Sequence, residues 1–175
     1  MIALAVMAIL IAVGVPSFQL VQNVGRLSGP TNEFLGALQL ARMEAVRRGQ
    51  RVVLCNSSNG TTCAGSATQW SGWLIFVDSN TNGAVDAGED IIRVGTFAGP
   101  ATVQSSPAVR AAVAFRPDGL ARGTGQALLE GQFRVCLPTR RPAENARVVT
   151  IASGGRIATR QDNLNGACPV PTSNS

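Results

Sequence analysis

An uncharged, apolar opening constrains this chain more than anything that follows it. Residues 1–15 read MIALAVMAILIAVGV, with no charged and no strongly polar side chain, and the first charge comes only at Arg26. A helix that is apolar all round is buried in lipid or in other protein. At about 1.5 Å per residue the run spans roughly 23 Å, short of the ~30 Å hydrocarbon core of a bilayer. One alternative is the apolar part of a signal peptide. That would need Lys or Arg ahead of the run and a small-residue cleavage site behind it. Here Met1 leads straight to Ile2, and Val13-Gly14-Val15-Pro16 is a poor cleavage site. A buried core helix is the other alternative. The expectation is a retained membrane segment from Met1 through Val15 to Pro16, with Gln19, Gln22, Asn23 and Arg26 as its polar exit.

Composition removes whole classes of function. The chain has no histidine and no tyrosine, and all 15 of its basic residues are arginine. The usual general base, the usual proton shuttle and the commonest zinc ligand are therefore absent. No serine sits in a G-x-S-x-G elbow, and Ser–Lys chemistry has no lysine. The reading is that the chain is not an enzyme and has no small-molecule substrate.

After the apolar run the pattern is amphipathic, then β. Ser28-Gly29-Pro30-Thr31 predicts an interruption, because proline is comfortable only in a first helical turn. A new start there would be capped by Ser28 or Thr31. Over residues 32–48, Phe34, Leu35, Leu38, Ala41, Ala45 and Val46 recur at steps of three and four, Glu44 can pair with Arg48, and Gly49 is a stop. Residues 51–55, 70–77, 91–97, 111–116, 132–137 and 147–152 read as strands, with turns at Pro117-Asp118-Gly119 and Ser153-Gly154-Gly155. The tail beyond Cys168 is rich in Pro, Ser and Asn and reads as frayed. The division is a membrane or filament-core helix over 1–25, an amphipathic helix over 26–50 and a β-rich head over 51–175. The fold class is α+β: a ladle whose long N-terminal helix packs, by its second half, on an antiparallel sheet.

Cys55, Cys63, Cys136 and Cys168 permit three pairings. Behind a membrane segment, an even count points to disulfides in an oxidising compartment. The expected pairs are Cys55–Cys63, closing a short polar loop, and Cys136–Cys168, tying the tail to a strand. Zinc is the runner-up, but its paired C-x-x-C ligands are missing.

The opening MIALAVMAILIAVGVPSF is similar to the N-terminal helix of type IV pilins and type II secretion pseudopilins, with Pro16 at the usual proline and Phe18 at a usual aromatic. The basic leader, cleavage site and early glutamate of those proteins do not precede it. The expectation is a start placed too late, with the native chain continuing upstream; the alternative is a trimmed product. Further on, Phe34-Leu35-x-x-Leu38-x-x-Ala41-Arg42-x-Glu44-Ala45-x-x-Arg48 resembles the amphipathic helix of the GspH/FimT family. Trp70-x-Gly72-Trp73-x-x-Phe76-x-Asp78, Asp86-x-Gly88-Glu89, Ile91-Ile92-Arg93, Phe133-x-x-Cys136 and Gly155-Arg156 extend the match in order. The resemblance implies a minor pilin or pseudopilin anchored in the inner membrane, with its head in the periplasm. Its implied partners are other minor subunits and the inner-membrane assembly platform. One branch of the family acts in DNA uptake, which makes double-stranded DNA the alternative partner.

Two sites follow from the residues. Residues 78–89, DSNTNGAVDAGE, match a twelve-residue calcium loop, with Asp78, Asn80, Asn82, Ala84 (through its carbonyl), Asp86 and Glu89 as ligands and Gly83 at the sharp turn. Calcium is the one candidate cofactor. The flanks read as strands rather than helices, and the plain alternative is a hairpin loop built on Asn, Asp and Gly. The second site is basic. Six arginines balance six carboxylates before residue 101, while nine arginines face four carboxylates after it. Arg156 and Arg160 fall on one face of a strand, and Arg140 and Arg141 in a loop could join them on DNA phosphates. Stacking aromatics are scarce nearby, so any such contact is electrostatic and salt-dependent. The tryptophans and phenylalanines of the head are read as core.

Overall fold

The computed structural model of the protein describes residues 2–65, 67–123, 126–152 and 154–172, together with their side chains apart from those of residues 2 and 4–17. One helix, α1 (Ile2–Arg48), leads into ten strands: β1 (Val52–Asn56), β2 (Gln69–Trp70), β3 (Gly72–Val77), β4 (Ile91–Thr96), β5 (Thr102–Ser105), β6 (Ala112–Phe115), β7 (Ala121–Arg122), β8 (Gly131–Cys136), β9 (Ala146–Ile151) and β10 (Ile157–Asp162). All pair antiparallel, in two five-stranded sheets ordered β4-β3-β1-β6-β7 and β10-β9-β8-β5-β2. The fold is the α+β ladle, with the head's strands divided between two sheets.

The expected break at residues 28–31 does not occur: α1 runs through Pro30. Proline removes one helical hydrogen bond, and the cost is met by packing. Leu27 and Thr31 are both buried, and the Thr31 hydroxyl donates to the Leu27 carbonyl at 2.6 Å. Phe34, Ala37, Leu38, Ala41 and Ala45 continue the buried stripe at helical spacing. Val46, expected on that stripe, is 54% exposed, because the buried face turns through Ala45 instead. Gly49, at φ +64°, ends the helix in the left-handed conformation that costs glycine least.

Both sheets meet α1 in one core. From the first sheet come Val52, Leu54, Ile75, Val113 and Phe115, and from the second Val103, Phe133, Val135, Val149 and Ile151. Phe34 is the hub, its ring 4.5 Å from Phe133, 5.6 Å from Trp70 and 5.8 Å from Phe97, all edge-on. The expected strand over 70–77 is in fact two. Trp70 pairs with Val103 in the second sheet, whereas Gly72 pairs with Thr96 in the first. Gly72 is required at this crossing: a Cβ there would lie 2.7 Å from the carbonyl oxygens of both Gly95 and Ser57.

The last turn of α1 is held by charge. Glu44 accepts from Arg47 at 2.6 and 3.1 Å and from Arg48 Nε at 2.7 Å, and Arg48 also reaches Asp90 at 2.6 Å. The hydrogen bonds from Arg47, then those from Arg48, lower the Glu44 pKa from 4.5 to about 2. A depressed carboxylate pKa contributes stability that is complete above the unfolded value and lost as pH falls through the folded one. Glu44→Gln therefore lowers stability by about 1–2 kcal/mol at neutral pH, after allowing for solvent around Arg47. It also flattens the loss of stability between pH 4.5 and about 2, which denaturant titrations across that window would read.

Candidate functional site

Three surfaces carry the features singled out by the sequence. The first is the N-terminal part of α1. Met1 lies outside the described residues, and the side chains of Val15 and Pro16 do too, although the backbone there is helical. Among the described residues no helix is long and apolar enough to cross a membrane. From residue 18 onward the face is visible. Phe18 (64%), Leu20, Val21 (70%) and Val24 are exposed, and burial against the head begins only at Leu27. Just ahead of that point Asn23 Nδ2 donates to the Arg141 carbonyl at 2.9 Å, tying the helix to the β8–β9 loop.

The second surface is the β3–β4 loop. The Asp78 side chain is fully buried, 3.1 Å from Arg51 Nη1, and its Oδ2 accepts the Gly83 N–H at 3.0 Å. Arg51 also donates to the Thr81 carbonyl at 2.8 Å. Asn80 Oδ1 accepts the Asn82 N–H and Asn82 Oδ1 the Ala84 N–H, at 3.1 and 2.7 Å. Both amide nitrogens turn onto Asp86 Oδ2, at 2.7 and 2.6 Å, and these two bonds lower the Asp86 pKa. Glu89 accepts from the Ser79 N–H and hydroxyl and from the Asp86 N–H. Thr81 and Gly83, at φ +64° and +76°, give the loop its tight winding. Among the described residues no three His, Cys, Asp or Glu side chains meet as a metal cage. Any cation here would use amide and backbone oxygens beside the carboxylates.

The third surface is basic, and it is dispersed. Arg140 and Arg141 are exposed in the loop before β9, whereas Arg156 is exposed in the turn after it. Six strand residues separate those two ends by roughly 17 Å. Arg160 lies mid-strand on β10, 3.6 Å from Asp162. The Arg156 turn is held by contacts that the sequence did not signal. Arg42 Nη1 on α1 donates to the Gly155 carbonyl at 3.0 Å, across 113 positions. Gly155 has φ +70°, and a Cβ on it would lie 2.8 Å from the Gly119 carbonyl oxygen, so the two glycine turns pack directly. Of the expected turn at 153–155, Ser153 lies outside the described residues.

Disulfides join Cys55 to Cys63 and Cys136 to Cys168. The second fastens a tail that lies across the outward side of β8. Arg134 Nη1 donates to the Pro169 carbonyl at 2.8 Å, Asn145 Nδ2 to the Ala167 carbonyl at 3.2 Å, and Gln132 Nε2 to the Thr172 carbonyl. The tail expected to fray beyond Cys168 is thus bonded to the head as far as Thr172, and residues 173–175 lie outside the described set.

This architecture has solved counterparts. The type IV minor pilin FimU of Pseudomonas aeruginosa strain PAO1 superposes with a TM-score of 0.52 at 21% identity, covering 77% of this chain and 92% of that one. A second crystal form of FimU gives 0.53 at 22% identity, covering 77% and 87%. These likenesses establish the fold. The minor pseudopilin EpsH of the Vibrio cholerae type 2 secretion system aligns at 12% identity over 78% of this chain and 97% of that one, with a TM-score of 0.48. A comparison with curated proteins returns no match. The family model described as type II transport protein GspH matches residues 31–155, from the buried half of α1 to the Gly155 turn. The chain belongs to the GspH family of type IV pilin-like proteins, the minor pilins and pseudopilins.

Proposed function

We propose that the chain is a structural subunit of a type IV pilin-like filament, held in the inner membrane by the start of α1 until assembly and then packed by that helix among its neighbours, with the head facing the periplasm. The observation that carries this reading is the change of character along one helix. From Leu27 to Ala45 its apolar stripe is buried in the chain's own core, whereas Phe18, Leu20, Val21 and Val24 are exposed. Exposed apolar side chains on a rigid helix are stabilised by a lipid or protein environment that the head does not supply. The family match supports other pilin-like subunits as that protein. A role on DNA would need Arg140, Arg141, Arg156 and Arg160 to follow one phosphate track. Arg140 and Arg141 lie before β9, Arg156 after it and Arg160 mid-strand on β10, and this dispersal leads us to carry the assembly reading forward. The experiment is photo-crosslinking in intact cells from position 21 of the full chain. The expected product joins it to another pilin-like subunit, whose identity names the filament.

A further inference from the structure

The β3–β4 loop contains an oxygen that the protein leaves without a partner. Asp78 is fully buried, and only its Oδ2 is engaged, by the Gly83 N–H and by Arg51. Its Oδ1 is buried and accepts no hydrogen bond. A buried carboxylate oxygen of this kind is costly to leave bare, and a cation would satisfy it. The Gly83 bond folds this carboxylate over its own loop, the segment that carries the other oxygens. Loop charge points the same way. Asp78, Asp86 and Glu89 contribute three negative charges and Arg51 one positive, leaving a surplus of two. The Asn80 and Asn82 amide nitrogens both donate to Asp86 Oδ2, so three of the loop's polar side chains already meet there.

We propose that residues 78–89 bind one calcium ion through side-chain oxygens of Asp78, Asn80, Asn82, Asp86 and Glu89 and the backbone carbonyl of Ala84. Asp78 keeps Arg51 on Oδ2 and gives Oδ1 to the ion. The ion displaces the two amide nitrogens from Asp86, and Glu89 turns from the Ser79 and Asp86 N–H groups towards the metal. A set made only of oxygens, mixed in charge and carried on a loop, suits calcium. Magnesium demands a near-ideal octahedron and keeps its waters, and zinc prefers nitrogen and sulfur. Arg51 shares Asp78, and two of the side-chain ligands are neutral. The affinity therefore belongs with extracellular modules, at a Kd of about 10⁻⁴–10⁻³ M.

The test uses the full chain in detergent, stripped with a chelator and titrated with calcium chloride or magnesium chloride by calorimetry, with melting curves in parallel. The expected result is saturable uptake of one calcium, a Tm several degrees higher in calcium than in chelator, and no comparable response to magnesium. Asp86 is exposed and Glu89 half-buried, both outside the core, so Asp86→Asn and Glu89→Gln leave the fold in place, which the melting curves in chelator check, and each weakens calcium binding at least tenfold. Three results would overturn the proposal: no saturable heat up to about 10 mM calcium with an unchanged Tm, an equal response to magnesium, or undiminished calcium binding by the Asp86→Asn/Glu89→Gln double variant.

Discussion

Replacing Phe34 by alanine lowers the stability of the head by about 3–5 kcal/mol, the range for truncating a fully buried aromatic in a core that cannot collapse around the gap. The site cannot close because Phe34 packs edge-on against three other rings. Phe133 lies on β8, Trp70 on β2 and Phe97 just after β4, so elements of both sheets line the void. Trp70 and Phe133 are themselves edge-on at 5.2 Å, and Trp70 Nε1 donates to Ser105 and to the Arg110 carbonyl, so neither ring is free to move inward. Small domains are stable by roughly 5–15 kcal/mol, so this single change consumes a large part of the total. Phe34→Leu keeps most of the volume and costs less than about 1.5 kcal/mol. Val46→Ala on the exposed side of the same helix stays within about 0.5 kcal/mol. Denaturant midpoints of the three variants at constant slope would give this ranking directly.

Removing the Cys136–Cys168 disulfide, as Cys136→Ala/Cys168→Ala, costs about 3–4 kcal/mol. The bond closes a loop of sequence separation 32, and loop-closure entropy sets that scale. It also secures the contacts of the tail with Arg134 and Asn145, which a released tail would surrender to water. Arg134 is buried under the tail, and desolvation lowers its pKa. Losing the tail therefore rehydrates a charge as well as freeing a chain end, which keeps the cost near the entropic value rather than above it. The Cys55–Cys63 bond has a separation of only 8, and its removal costs about 2.5 kcal/mol. The two double variants should fall in that order in thermal melts.

The sequence was most legible where structure follows local spacing. The stripe from Phe34 to Ala45 announced a packed helix, Gly49 its end, and Glu44 with Arg48 the closing pair. The winding of residues 78–89 was visible in its alternating oxygens and in Gly83. Other features depended on distant partners. Pro30 read as a break because the local rule is unfavourable, and only the burial of Leu27 and Thr31 reverses it. The division of residues 70–77 between two sheets turns on what Gly72 and Trp70 approach, not on their hydrophobicity. Strand β5, Thr102–Ser105, is short and half polar, and so gave no strand signal beside Val103. The Arg42–Gly155 contact spans 113 positions and leaves no local trace. The arginines after residue 101 showed their excess in the sequence but not their dispersal, which is a property of β9 and its two flanking turns.

The most direct measurement of the central claim is the crosslinking experiment at Val21, run in cells on the full chain with a matched control at an exposed head position such as Ala152. A filament subunit gives abundant products with other pilin-like proteins from position 21, and these disappear when the neighbouring exposed Leu20 and Val24 are both replaced by aspartate while the head retains its melting temperature. A chain that reaches its folded state in the same cells, yet yields no product with any pilin-like protein from position 21, contradicts the account.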